Sequence, residues 1–137
     1  MKTVLVHGVF DLLHLGHIRH LSAAKALGDR LIVSVTSDPY VNKGPDRPAF
    51  TADLRVEARR ALRCVDYVLV NRHATAVPTI LAIRPNLYVK GPECQENQSP
   101  GLLEEIEAVR SVGGDVAYTE GQIFSSTELL RKVLSYG

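Results

Sequence analysis

The sequence predicts an α/β fold in which five parallel strands carry helices on both faces. Short runs of apolar and β-branched residues recur along the chain, amphipathic helical stripes follow them, and Gly or Pro marks each change of period. Strands separated by helices pair in parallel through crossovers, and right-handed crossovers cover both faces of the sheet. The expected architecture is therefore a doubly wound, Rossmann-like sheet forming a single domain over residues 1–137.

Residues 3–7 (TVLVH) end at Gly8 and read as the first, buried strand. Residues 16–27 read as a helix with Ile18, Leu21, Ala24 and Leu27 on one stripe, stopped by Gly28-Asp29. The second strand is residues 31–35 (LIVSV), followed by a polar stretch, residues 37–50, broken by Gly44, Pro45 and Pro48. Thr51 can cap a helix reaching about Cys64, with Leu54, Ala58, Ala61 and Leu62 inward. Residues 67–70 form the third strand, and residues 75–83 a short helix with Pro78 tolerated in its first turn. Residues 87–89 form the fourth strand, 91–100 a polar loop, 102–112 a helix ended by Gly113-Gly114, and 116–118 the fifth strand. A last helix runs from Ser125 to about Leu134, with Ser125 and Glu128 as a capping box and Leu129, Leu130, Val133 and Leu134 buried.

Composition excludes several functions. Sixteen basic against fifteen acidic residues leave a net charge of +1, without the basic excess of a nucleic-acid-binding domain or an acidic disordered tail. No apolar run approaches the roughly 20 residues of a membrane span. His7 and Asp11 interrupt the N-terminal apolar stretch, so it does not read as a signal peptide, and the mature chain is expected to begin at Met1. Cys64 and Cys94 lie far apart without CxxC spacing, indicating neither zinc site nor disulfide framework, and free thiols fit a cytoplasmic protein.

In such sheets ligands bind beyond the carboxyl ends of the strands, near the point where strand order reverses. The loops at residues 8–16, 37–50 and 90–94 and the start of the last helix are expected to converge there. The densest chemistry lies in GVFDLLHLGH, residues 8–17, between the first strand and first helix. Gly8 permits a close backbone turn, and a helix N-terminus presents free N–H donors and partial positive charge to phosphate. His14 and His17 flank Gly16 and share one helix face, where two imidazoles can donate to a phosphoryl group gaining charge. A zinc pair is the alternative for them, but no third ligand is evident. His7, His20 and His73 read as satisfied core or surface residues.

This HxGH stretch resembles the cytidylyltransferase-like nucleotidyltransferase family. The likeness continues through residues 17–33, where it is similar both to glycerol-3-phosphate cytidylyltransferase and to the adenylyltransferase domain of ADP-heptose synthase. Residues 43–48 (KGPDRP), Leu54-Arg55, residues 65–68 (VDYV), 88–91 (YVKG), 113–116 (GGDV) and Ser125-Ser126-Thr127 lean to the latter.

The resemblance implies transfer of AMP or CMP from ATP or CTP to a phosphorylated sugar or polyol, with loss of pyrophosphate, for cell-surface polysaccharide synthesis. It implies Mg2+ as cofactor, though no residue set is assigned to a metal. His14, His17 and Lys43 are the implied catalytic residues. Gly8, Val9, Phe10, Gly16, Lys90, Gly91, Ser125, Ser126 and Thr127 would bind the nucleotide, with the Val9 and Phe10 N–H groups cradling phosphate. Asp11 either orients the acceptor or caps the helix, while Arg55 would clamp triphosphate or acceptor phosphate. Arg59, Arg60 and Arg63 read as surface charges, and Arg47 as solvated charge. A homodimer is expected, with Phe124 and Tyr136 as exposed apolar candidates.

The sequence departs from the family in residues 119–124 (TEGQIF), which lack the arginine often found before the Ser/Thr cluster, leaving ATP against CTP open. Residues 93–100 are polar and expected to form a lid or acceptor loop. A non-catalytic nucleotide-binding regulatory module is the second reading. A dinucleotide-binding domain is the weaker third, because the first loop lacks GxGxxG.

Overall fold

The computed structural model describes residues 1–10, 14–41 and 51–120. Five strands, β1 (Thr3–Gly8), β2 (Arg30–Thr36), β3 (Tyr67–Asn71), β4 (Leu87–Lys90) and β5 (Asp115–Tyr118), form one sheet in the order β3-β2-β1-β4-β5. Every pairing is parallel, as predicted. Strand order runs outward from β1 through β2 to β3, then returns to place β4 on the other side of β1. The reversal opens a crevice between the carboxyl ends of β1 and β4.

The helices are α1 (Leu15–Ala26), α2 (Ala52–Arg60), α3 (Val77–Ile83), α4 (Glu93–Glu96) and α5 (Pro100–Ser111). Strand side chains alternate between faces, so each face has its own core. Val4, Val6, Leu31, Val33 and Val35 pack with Leu21 and Ala24 of α1 and with Val56 of α2. Leu5 and Tyr88 pack on the other face against Ile80 of α3 and Leu102, Ile106 and Val109 of α5. Cys64 and Cys94 join opposite cores.

Several expected details change. On α1, Leu21 and Ala24 are fully buried, whereas Ile18 and Leu27 lie at the solvent side. Within the stretch expected to be loop, Glu93–Glu96 makes one helical turn, too short to show a period. The 3–10-like bond from Leu62 N–H to Arg59 O closes α2 at Arg60, short of Cys64. Thr51 holds the N-cap position, but its side chain makes no capping bond. Leu54 is 49% exposed, and the inward residues of α2 are Arg55 and Arg59 at 1% and 0%. Arg59 is therefore no surface charge. Spaced four apart, the two arginines share the helix face turned toward the end of β1. Asp11, Lys43, Arg47, Phe124, Ser125, Ser126, Thr127, Tyr136 and the predicted last helix lie outside the described residues.

Opposite the site, tight backbone contacts connect α5 to the starts of β4 and β5. Gly114 N–H bonds Val109 O at 2.9 Å, and a Cβ on Gly114 would stand 2.3 Å from Pro85 O and 3.0 Å from Asn86 O. Backbone cannot yield as a flexible side chain can. Gly114→Ala is therefore expected to lower stability by about 1–3 kcal/mol. Urea denaturation should show a lower midpoint with unchanged slope.

Candidate functional site at the β1–α1 turn

β1 ends at Gly8 beside Val35 of β2, and the chain turns immediately. Phe10 adopts φ 49°, a left-handed conformation costing an L-residue about 1–2 kcal/mol unless its surroundings hold it. Two side chains from α2 provide that hold. Arg55 Nη1 donates to Val9 O at 2.7 Å, and Arg59 Nη2 donates to Phe10 O. The Arg59 guanidinium also lies over the Phe10 ring, 5.3 Å from its centroid. The Phe10 ring covers Gly8, where a Cβ would approach it to 3.1 Å. Gly8 is thus needed for space beneath an aromatic ring.

His14 is the N-cap of α1, extended at φ −140° and ψ 173°, and its Nδ1 accepts from His17 N–H at 3.4 Å. An accepting Nδ1 leaves the proton of a neutral imidazole on Nε2, the atom able to donate. The His14 and His17 rings stack at 3.7 Å between centroids, 22° from parallel. Phe10 meets His17 edge-on at 5.3 Å and 81°. Burial, then the neighbouring Arg59 cation, lowers the pKa of His14, favouring its neutral form.

Across the crevice, Lys90 ends β4 and donates from Nζ to His7 O at 3.2 Å, with the ammonium 5.5 Å from the Tyr88 ring centroid. The structure thus brings Gly8, Val9, Phe10, His14, Gly16, His17 and Lys90 to one sheet edge, with Gly91 following Lys90. Arg55 reaches the same edge from below. Its Nη2 pairs with Asp38 at 2.6 Å while Nη1 holds Val9, so it supports the turn from within the fold. Arg59, expected from the sequence as a surface charge, also belongs to this arrangement. Its sequence signal is the four-residue spacing from Arg55 on one helix.

Two of the histidines read as satisfied core or surface residues, His7 and His20, have side-chain partners in the structure. His7 Nδ1 lies 3.0 Å from Ser34 Oγ, and His20 Nδ1 lies 2.6 Å from Thr119 Oγ1. His73 is exposed beyond β3. Imidazoles, guanidinium groups and an ammonium make this edge complementary to anions. Among the described residues no group of three or more His, Cys, Asp or Glu could hold a metal, and the nearby Asp38 is engaged by Arg55. These donors do not fit a protein-built Mg2+ cage, which demands carboxylate and water oxygens. Among the same residues no helix is long and apolar enough to cross a membrane.

The cytidylyltransferase-like family model matches residues 5–132. The chain is 38% identical over 134 residues to the bifunctional protein HldE of Coxiella burnetii, covering 96% of this chain and 28% of that protein. It is 39% identical over 137 residues to the bifunctional protein HldE of Vibrio cholerae, again covering 96% and 28%. The chain thus spans little more than a quarter of these relatives. Among solved structures it is similar to the lipopolysaccharide core biosynthesis protein from Thermoplasma volcanium, with TM-score 0.72 and 27% identity over 91% of this chain and 99% of that one. A pantoate-beta-alanine ligase from Francisella tularensis shares the fold at 16% identity and TM-score 0.58, covering 98% of this chain and 70% of that one.

The polar end of the sheet carries a pH consequence. Burial, and then the Lys90 charge, push His7 down to about 4 from 6.5. Below 6.5 the unfolded chain takes up a proton that the folded chain refuses. This contribution to stability is present above pH 6.5 and lost as pH falls toward 4, by up to about 3 kcal/mol. Denaturation at pH 7.5 and pH 5 should show a larger loss in the wild type than in a folded His7→Asn variant.

Proposed function

The chain belongs to the cytidylyltransferase-like family of nucleotidyltransferases, and from that premise we propose that it transfers AMP or CMP from ATP or CTP to a phosphorylated sugar or polyol, releasing pyrophosphate. The product would be a nucleoside-diphosphate sugar or polyol for cell-surface polysaccharide synthesis. The observation that carries this reading is the stacked His14–His17 pair at the start of α1, beside the β1–β4 crevice. That the similar Thermoplasma protein is a lipopolysaccharide core biosynthesis protein supports a sugar phosphate as acceptor.

On this reading an oxygen of the acceptor phosphate attacks the α-phosphorus. A new P–O bond forms, the bond to the bridging oxygen breaks, and pyrophosphate leaves with that electron pair. The protein supplies no nucleophile. It aligns two anions and stabilises charge gathering on phosphoryl oxygens. His14 Nε2 and the His17 imidazole donate toward those oxygens from a fixed stack. The positive end of α1, with the N–H groups of its first turn, would draw phosphate. Lys90 adds fixed positive charge across the crevice, and Gly91 allows close approach. Arg55 acts through the Val9 carbonyl, and Lys43, Asp11, Ser125, Ser126 and Thr127 complete the expected set. Mg2+ would enter on the triphosphate, held by phosphate oxygens and water, and neutralise phosphate charge when bound. We further infer a cytoplasmic protein that acts as a homodimer.

Incubation with ATP or CTP, Mg2+ and a panel of sugar and polyol phosphates should release pyrophosphate with one nucleotide–acceptor pair. His14→Ala and His17→Ala are each expected to lower kcat by about a hundredfold or more, as loss of one transition-state donor does. Tight nucleotide binding without pyrophosphate release from any pair would instead identify a regulatory binding module.

A further inference from the structure

We propose that Arg59 is a positioning residue for phosphate transfer: from α2 it holds Phe10 in its left-handed turn and, through the Phe10 ring, sets the stacked His17 and His14 imidazoles. This inference rests on the nucleotidyl-transfer reading for its kinetic consequence, but its structural content can be measured without turnover.

Four planar groups form a continuous column. The Arg59 guanidinium lies over the Phe10 ring at 5.3 Å, the Phe10 ring meets His17 edge-on at 5.3 Å, and His17 stacks on His14 at 3.7 Å. Arg59 grips Phe10 twice, by a hydrogen bond to its carbonyl and by charge over its ring. The main-chain grip matters because φ 49° is unfavourable for phenylalanine and would relax toward negative φ without an external hold. Relaxation would swing the ring off Gly8 and remove the edge contact that fixes His17. Arg55 holds a different carbonyl, that of Val9, and pairs with Asp38.

Arg59 is 0% exposed, so its guanidinium acts within the protein and not toward solvent. Its charge also works on the far end of the column, where it disfavours a proton on His14. Among the described residues, the groups facing His14 are His17 from α1 and Arg59 from α2. A helix residue serving only to fill space would be an aliphatic side chain of similar volume. The comparison of Arg59→Met with Arg59→Lys therefore isolates the cationic, hydrogen-bonding function from bulk.

The test uses the full chain with Arg59→Met and Arg59→Lys, comparing imidazole NMR signals, nucleotide kinetics and thermal unfolding. In folded Arg59→Met, the His14 and His17 ring protons should lose their stacking shifts and move toward free-histidine positions. With the nucleotide–acceptor pair found by pyrophosphate release, kcat should fall about 10- to 100-fold, the effect of a small misplacement of reacting groups. The KM for nucleotide should change less than about threefold, since the phosphate-binding helix terminus remains. Arg59→Lys should restore the imidazole signals and at least about tenfold of the lost kcat, because it retains a cation over the ring and one donor. Unchanged imidazole signals in folded Arg59→Met would overturn the proposal, as would a kcat within twofold of wild type. If Arg59→Met does not fold, Phe10→Leu removes the middle of the column and must produce the same imidazole change; failure to do so also overturns it. A wild type without turnover would count against the transfer reading alone, because the imidazole signals report on the column in either case.

Discussion

The turn after β1 has to reverse the chain within a few residues of a buried strand, and its carbonyls come to lie inside the fold. The Phe10 carbonyl is buried and the Val9 carbonyl partly so, and an unmade hydrogen bond at a buried place costs about 1–3 kcal/mol. The inward face of α2 provides the answer, with one guanidinium for the Val9 carbonyl and another for Phe10. That choice shapes its surroundings. α2 offers little apolar surface for packing, so Val56 and the segment that follows the helix, with Leu62, Cys64 and Val65, make the contact with the sheet. Leu54 is left outside. Phe10 can then occupy a left-handed conformation, and its ring comes to rest between a glycine and a histidine.

From this turn, a change in chemistry runs along the sheet. The middle of β1 and β2 is wholly apolar, with Val4, Leu5, Val6, Leu31 and Val33 at 0–1% exposure. One residue further, the same strands carry His7, Ser34 and Thr36, bonded among themselves, and β4 brings Lys90 to the His7 carbonyl. His20 and Thr119 extend the polar strip toward β5. Burial makes these imidazoles poor bases, and the Lys90 ammonium reinforces the effect at both His7 and His20. The strip supports the crevice without adding titrating charge near neutral pH.

The strands were legible in the sequence because β-branched runs bounded by Gly and Pro have few other readings; observed strand ends differ by a residue or so. The placement of His14, Gly16 and His17 at the start of α1 was legible because a strand period gives way to a helical one across residues 8–17. The inner face of α2 was not. Hydrophobic periodicity assigns the inward side to Leu54, Ala58 and Ala61, and a rule that sends arginine to solvent cannot find one buried against a carbonyl. Nor does any local pattern reveal that Phe10 lies at positive φ, since the residue type argues against it. Both features arise from one tertiary contact, so neither could be read from its own segment.

That contact also bears on how a chain with net charge of only +1 could present the proposed anion site. The permanent charges, Arg55, Arg59 and Lys90, sit beneath or beside the turn, bonded to Val9, Phe10 and His7 carbonyls. The imidazole of His14 is held toward neutrality by burial and by Arg59, so it serves as a directional N–H donor more than as a charge. Separating these tasks suits phosphate chemistry. In the proposed reaction, the cations would draw the anion in, and the oriented imidazole donors would answer the charge that develops on particular oxygens. Two protonated imidazoles at 3.7 Å would repel one another, so the stack, like Arg59, disfavours a proton on His14. The geometry of the pair and the cation beneath it therefore favour the same protonation state.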